Sequence, residues 1–270
     1  MSNVHLILNV VRFTSTLRDV TSDGTLAREL ADGAGAVLLR LRAQSAADGT
    51  AAEVLRDRGD RASHEYLATR LAELRPADTV RSEEDRSTDA ARRRSADRVW
   101  IIDPLDGTRE FAEPGRCDWA VHVALWQSGE LVAGAVALPA LGTTIATDAP
   151  PRPPEKRAGR IRLVVSRTRP PAQARRVAAA LDAELLGMGS AGAKAMAVLR
   201  GDADVYLHDG GQYEWDSAAP VAVARAAGLH ASRLDGSALE YNRPDPLLPD
   251  LLICRPELAA VVLGALAGSA

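Results

Sequence analysis

Hydrophobic positions along the chain change period several times. Between residues 25 and 43, Leu26, Leu30, Val37, Leu38 and Leu41 recur at helical spacing behind the turn or cap residues Asp23 and Gly24. Leu67, Leu71 and Leu74 predict a second helix over 61–74, with Pro76 just past its end. Strand signals follow at 79–82, 98–102, 120–126 and 131–138, and Gln127-Ser128-Gly129-Glu130 reads as a hairpin turn between the last two. A further extended segment over 143–146 completes a meander. Then comes Ala149-Pro150-Pro151-Arg152-Pro153-Pro154-Glu155-Lys156, a Pro-rich polar stretch that reads as a linker or long surface loop.

Beyond that stretch strands and helices alternate. Strands are expected over 161–165, 183–186, 204–207 and 251–254, and helices over 172–181, 193–199, 216–227 and 257–266. Such alternation predicts an α/β layer, whereas the first half reads as helices on a mostly antiparallel sheet. The expected organisation is an N-terminal extension (1–24), an α+β half (25–148), the Pro-rich loop (149–160) and an α/β half (161–270), with no internal repeat. The apolar run Val4-His5-Leu6-Ile7-Leu8-Asn9-Val10-Val11 lacks a basic start and a small-residue cleavage site, so no signal peptide is expected.

Composition narrows the function classes. With 270 residues, 46% hydrophobic and 26% charged, the chain has ample material for a core and the make-up of a soluble globular protein. A formal net charge of −3 gives no footprint for a nucleic-acid polymer, and no apolar run approaches a membrane span. Arg92-Arg93-Arg94 is flanked by Asp89 and Asp97 and reads as a solvated loop. Cys117 and Cys254 make no disulfide framework and no Cys/His metal spacing, so a reducing cytoplasm is the expected setting.

Candidate chemistry centres on Asp103-Pro104-Leu105-Asp106-Gly107-Thr108, behind the apolar run Val99-Trp100-Ile101-Ile102. A buried-type strand is expected to end here in a turn carrying two carboxylates. Like charges this close are unfavourable unless a cation sits between them, and oxygen ligands suit a hard divalent ion such as Mg²⁺. The plainer reading is an exposed Asp-rich turn.

Four further features have plain readings of their own: Ser82-Glu83-Glu84-Asp85 after a strand, Asp60 at the expected start of the second helix, Gly189-Ser190-Ala191-Gly192-Ala193-Lys194, and Glu214-Trp215-Asp216. An Asp at a helix start is most often a cap worth ~1 kcal/mol. An acidic run is usually a solvated loop, and a Gly-rich helix start is usually a turn. Their joint order and spacing favour a common site.

That order resembles the inositol monophosphatase superfamily of Mg²⁺-dependent, lithium-sensitive phosphatases. The carriers are Trp100-Ile101-Ile102-Asp103-Pro104-Leu105-Asp106-Gly107-Thr108 and Glu214-Trp215-Asp216-Ser217-Ala218-Ala219, and the likeness runs from about residue 25 to the C-terminus. The resemblance implies a layered α-β-α-β-α sandwich (α/β, α+β) with two or three Mg²⁺ per site. It implies metal ligation by Glu83, Asp103, the Leu105 carbonyl, Asp106 and Asp216, and activation of the attacking water by Asp60 with Thr108. Gly107 and Thr108 would present backbone N–H groups to phosphate, while Gly189, Ser190 and Lys194 would hold the leaving group.

Arg109-Glu110-Phe111 resembles the nucleotidase branch, the bacterial 3′-phosphoadenosine 5′-phosphate phosphatases (3′(2′),5′-bisphosphate nucleotidases) of the actinobacterial type, and Lys194 and Glu214 point the same way. Arg109 and Glu214 therefore join the expected substrate contacts. The implied reaction is hydrolysis of the 3′-phosphate of adenosine 3′,5′-bisphosphate to AMP, with action on its sulfated relative and a role in sulfur metabolism. Homodimers are common in the family. Rival readings are an inositol-1-phosphate or sugar-bisphosphate phosphatase, a nucleotide phosphatase of nucleoside-metabolite biosynthesis, and an inactive nucleotide-binding protein. His64 and His122 lack metal-ligand spacing and are expected to be packed or hydrogen-bonded. The polar loop 85–97 beside Glu83 is expected to tune substrate choice.

Overall fold

A computed structural model describes residues 21–84 and 95–268. The N-terminal apolar run, the arginine triplet and most of the polar loop 85–97 lie outside the described residues. Two five-stranded sheets form the frame. The first runs β1 (Thr79–Ser82), β2 (Arg98–Asp106), β3 (Ala120–Gln127), β4 (Glu130–Leu138), β5 (Thr143–Ala146) in spatial order. Only its β1–β2 pair is parallel. The second takes the order β7 (Glu184–Met188), β6 (Arg162–Ser166), β8 (Val205–Tyr213), β10 (Leu247–Cys254), β9 (His230–Ser232).

Period-two alternation in the strands decides the layering. Trp100, Ile102, Val121, Val123, Leu125, Ala133, Ala135 and Ala137 pack outward against α1 (Asp23–Asp48) and α2 (Ala52–Leu74). Their neighbours Val99, Ile101, Ala120, Ala124, Val136 and Leu138 face the opposite way, onto α5 (Ala191–Arg200) and α6 (Glu214–Ala226). Val164, Tyr206, Leu251 and Ile253 of the second sheet close on those same two helices. Leu163, Val165, Val205, Leu207, Leu252 and Cys254 turn outward to α4 (Ala172–Ala180) and α7 (Pro256–Ala267). The order of layers is therefore α-β-α-β-α. The small-residue sequences of α5 and α6 suit the middle layer, because those helices are buried between two sheets. Among the described residues no helix is long and apolar enough to cross a membrane.

The Pro-rich stretch runs without regular structure before β6. It is held to the body where Arg255 donates to the Pro154 carbonyl at 2.7 Å.

Three expectations change at the element ends. β2 does not stop at Ile102 but continues to Asp106, because Asp106 still pairs with Ala120 of β3; the irregularity between Asp103 and Asp106 takes the form of a bulge. Pro104 is tolerated there, as proline is at bulges. β8 extends through polar residues to Tyr213 and β10 starts back at Leu247, before Pro249 and Asp250, held by backbone pairing that side-chain periodicity cannot reveal. The one-turn helix α3 (Thr108–Ala112) and the short β9 have too few residues to show a period.

The largest change is at α2, which starts at Ala52 rather than residue 61, so Asp60 lies inside the helix and is not its cap. Gly59 reads as a breaker in the sequence, but in the fold it is a contact point. A Cβ there would lie 2.7 Å from Phe111 Cε1 and 2.9 Å from Leu105 Cδ2, and both side chains are fully buried. Glycine thus lets α2 approach the Asp103–Thr108 segment closely enough for Asp60 to reach it.

Gly59→Ala is expected to destabilise the protein by about 1–2 kcal/mol in urea denaturation. Overpacking costs about 1–3 kcal/mol and outweighs the ~1 kcal/mol that alanine gains in helix propensity.

Candidate active site

The bulge in β2 builds the acidic centre. In a regular strand residues three apart point to opposite faces. The bulge sets Asp103 opposite His122 and Asp106 opposite Ala120, so both carboxylates emerge on the face towards the middle helices. Asp216, in the first turn of α6, meets them there. One carboxylate oxygen from each of Asp103, Asp106 and Asp216 lies within 4.8 Å of the others. Asp103 and Asp106 are almost wholly buried.

Glu83 approaches from the end of β1. Burial, then Asp216 and Asp106, push its carboxyl up to about 7. Asp103 is driven well up by burial, then by Glu83 and Asp106. Burial and the nearby Asp106 raise Asp216 to about 6, and burial with Glu84 raises Asp60 to about 7. Ionised together, these crowded carboxylates repel one another, and a divalent cation on oxygen ligands is what would offset that repulsion.

Asp106 is the exception, and the protein itself satisfies it. Its Oδ2 accepts from Ser190 Oγ at 2.5 Å and from the Gly192 N–H at 2.7 Å, at the start of α5. His122 Nε2 lies 3.2 Å from the same oxygen. His122 Nδ1 is 3.1 Å from the Trp215 carbonyl, which can only accept, so Nδ1 carries a proton. Nε2 faces the Asp106 carboxylate, and a second proton there would complete an ion pair. Burial disfavours that charge, but Asp106 outweighs burial and raises the His122 pKa. Burial also disfavours ionised Asp106, yet His122, Lys194 and Ser190 bring its pKa below the usual range. One oxygen is thereby saturated by the protein, and the other is left for a cation.

The remaining expected residues gather around this centre. Thr108 Oγ1 is 3.3 Å from Asp60 Oδ1 and 3.1 Å from the Leu105 carbonyl. α2 is tied to the same segment by Ser63, whose hydroxyl donates to the Pro104 carbonyl at 2.6 Å, and to β1 by His64 Nδ1, 2.9 Å from Ser82 Oγ. Asp60, Ser63 and His64 share a helix face at i, i+3, i+4 spacing. Gly107 takes a left-handed conformation (φ 86°) that turns the chain from β2 into α3.

A cleft of about 420 Å³ opens on the cluster, lined by Glu83, Asp106, Gly107, Thr108, Arg109, Gly189, Ser190, Lys194 and Asp216. Lys194 reaches it, yet its Nζ donates back to the Gly189 and Ser190 carbonyls at 3.2 and 2.8 Å. It holds the loop in which Ser190 has the strained φ of 45°.

Glu214 departs from expectation. It is buried in an ion pair with Arg81 and does not line the cleft, because as the first residue of α6 its side chain turns to the Asn242 and Arg243 amides.

Sequence reasoning missed several residues. Asp118 accepts from the Gly189 N–H at 2.6 Å and anchors that loop. His122 was expected to be no more than packed or hydrogen-bonded. Arg167, Arg169, His208 and Tyr213 also line the cleft. The arginines follow the carboxyl end of a parallel strand, β6, which is a signal the sequence did carry.

A model of the inositol monophosphatase family matches residues 19–267. The chain belongs to that family. The match begins somewhat before the residue 25 expected from the motifs. Among curated relatives, the 3′-phosphoadenosine 5′-phosphate phosphatase of Mycobacterium bovis is 52% identical over 246 residues, covering 87% of this chain and 89% of that protein. The 3′(2′),5′-bisphosphate nucleotidase CysQ of Escherichia coli is 32% identical over 201 residues, or 70% of this chain and 80% of that one. Among solved structures, CysQ from Bacteroides thetaiotaomicron superposes with a TM-score of 0.71 at 27% identity, over 85% of this chain and 95% of that chain.

The crowded carboxylates predict an unusual pH dependence of the metal-free protein. Asp60, Glu83, Asp103 and Asp216 hold protons in the folded state that the unfolded chain releases near pH 4, so their contribution to stability falls as pH rises towards 7. His208, lowered to about 4 by burial and by Lys194, acts in the opposite sense but is outnumbered. Melting temperature without metal is expected to fall between pH 5 and about 7, and the increase on adding a divalent cation is expected to grow over the same range. Calorimetry across that range with and without metal checks both.

Proposed function

We propose that the protein is a Mg²⁺-dependent phosphatase that removes the 3′-phosphate from adenosine 3′,5′-bisphosphate, giving AMP and phosphate. The observation that carries this reading is the gathering of Glu83, Asp103, Asp106 and Asp216 beside a cleft lined by Thr108, whose hydroxyl Asp60 meets from behind. The choice of substrate is supported by the mycobacterial relative, 52% identical along nearly its whole length. Arg109 and Arg169 line the cleft for an anionic ligand, and Tyr213, 45% exposed and stacked on Trp215, adds aromatic surface.

Mg²⁺ held by Glu83, Asp103, the Leu105 carbonyl, Asp106 and Asp216 would supply an acidified water and neutralise charge on the phosphate. The chain's own residues handle position and protons. Asp60 takes the Thr108 hydroxyl proton into a hydrogen bond, leaving the Thr108 oxygen to accept from a water and fix its orientation. Ser190 and the Gly192 N–H hold Asp106 in place, so one oxygen keeps a constant direction. Gly107 and Thr108 offer backbone N–H groups at the start of α3 for phosphate oxygens. Gly189, anchored by Asp118, forms the wall for the leaving nucleotide. Free Cys117 and Cys254 agree with a reducing, cytoplasmic setting.

Phosphate release measured across nucleotide, inositol and sugar phosphates tests the reading. The highest kcat/KM is expected for adenosine 3′,5′-bisphosphate, and only with Mg²⁺ present. Preference for myo-inositol 1-phosphate or fructose 1,6-bisphosphate would overturn the choice of substrate. Asp103→Asn is expected to abolish release without unfolding the protein, and Asp60→Asn or Thr108→Ala to lower kcat by about 10²–10⁴.

A further inference from the structure

Away from the reacting atoms, one buried ion pair joins the end of β1 to the start of α6. Arg81 Nη1 donates to Glu214 Oε2 at 2.7 Å, with the two side chains 8% and 1% exposed. Arg81 precedes Glu83 by two residues, and Glu214 precedes Asp216 by two. The pair therefore connects the segment of the first sheet that leads to Glu83 with the middle-layer helix that carries Asp216.

Its other contacts make the connection rigid. Glu214 Oε2 also accepts from the Asn242 N–H at 3.0 Å, and Oε1 from the Arg243 N–H at 2.7 Å. Arg81 Nη1 donates a second bond to the Arg243 carbonyl at 3.0 Å. Three chain segments thus meet at one carboxylate and one guanidinium.

A tether is needed at this place. Among the described residues β1 is a four-residue edge strand paired only with β2, and the carboxylate that follows it is repelled by Asp216 and Asp106. Buried ion pairs contribute little net stability over apolar replacements of similar volume, because desolvation offsets their attraction. What this pair supplies is a fixed distance and direction, because Arg81 Nη1 is shared between Glu214 and the Arg243 carbonyl while both Glu214 oxygens are held by backbone amides.

We propose that Arg81 and Glu214 are positioning residues that set the spacing of Glu83 against Asp216, and through it the affinity of the site for divalent cations. The proposal rests on the reading of those carboxylates as metal ligands. It gives Glu214 a role without contact to substrate.

The test compares wild type with Arg81→Met, Arg81→Met/Glu214→Gln and Arg81→Lys. The double variant removes both charges, so no buried carboxylate is left unpaired if the single variant fails to fold. Mn²⁺, which takes the same oxygen ligands, is titrated into metal-free protein by calorimetry, and the Mg²⁺ dependence of phosphate release is measured alongside. Loss of the pair is expected to weaken Mn²⁺ binding and raise half-saturating Mg²⁺ by about tenfold, as loss of groups supporting metal ligands commonly does. At saturating Mg²⁺, KM for adenosine 3′,5′-bisphosphate should stay within about twofold of wild type and kcat should recover, while Arg81→Lys restores most of the Mn²⁺ affinity. A lower melting temperature with unchanged Mn²⁺ affinity would overturn the proposal in favour of a purely structural pair. A KM raised many-fold at saturating metal, with Mn²⁺ affinity unchanged, would overturn it in favour of substrate contact. Wild type that binds Mn²⁺ but releases no phosphate would defeat the phosphatase reading, and the Mn²⁺ titrations would still decide the role of the pair.

Discussion

Mutual repulsion among Glu83, Asp103, Asp106 and Asp216 is the constraint around which this molecule is built. Asp103, Asp106 and Asp216 are brought to one point with Glu83 beside them, and the low-dielectric interior magnifies the cost of charging the buried ones. Among the described residues the fold compensates Asp106 most fully, through His122, Ser190 and the Gly192 N–H. Burial and mutual repulsion raise the pKa values of Glu83, Asp103 and Asp216. A site of that kind is strained when empty and stabilised when a cation arrives, so metal binding and local stability are coupled.

The layers serve that concentration of charge. The first sheet delivers Asp103 and Asp106, and its edge strand delivers Glu83. The middle helices supply the start of α5 to Asp106 and the first turn of α6 as Asp216. The outer helix α2 adds Asp60 through its close approach at Gly59. Because these groups come from three layers, the first sheet, the middle helices and the outer helix α2, relative placement depends on packing between layers, which explains the polar ties that cross them. Ser63 to Pro104, His64 to Ser82 and Asp118 to Gly189 each join a loop or strand end to a neighbouring element.

Much of this was legible in the sequence. Alternation along β2 to β4, the helical spacing of Leu67 and Leu71, and the Pro-rich break all marked real features. Asp60 with Thr108, and Asp103 with Asp106 and Asp216, were named as partners and stand together in the fold. The misses have a common cause. The start of α2, the continuation of β2 through Pro104, the polar end of β8 and the start of β10 around Pro249 are held by backbone pairing or tertiary contact, and neither leaves a mark on hydrophobic period. Glu214 was read by its adjacency to Trp215 and Asp216. A first-turn helix residue need not face the way its neighbours do, and this one faces Arg81.

The sequence by itself determined which residue types are present for the chemistry and which strand faces are apolar, since those are local properties of side-chain kind and period. It also carried the motif order that marks the family. Only the tertiary structure decided that a bulge turns Asp103 and Asp106 to one face, that His122, Ser190 and the Gly192 N–H gather on Asp106, and that Arg81 and Glu214 join β1 to α6. Those outcomes depend on groups far apart in the chain, on the distance between them and on their removal from water. None of these is encoded in any short stretch of residues.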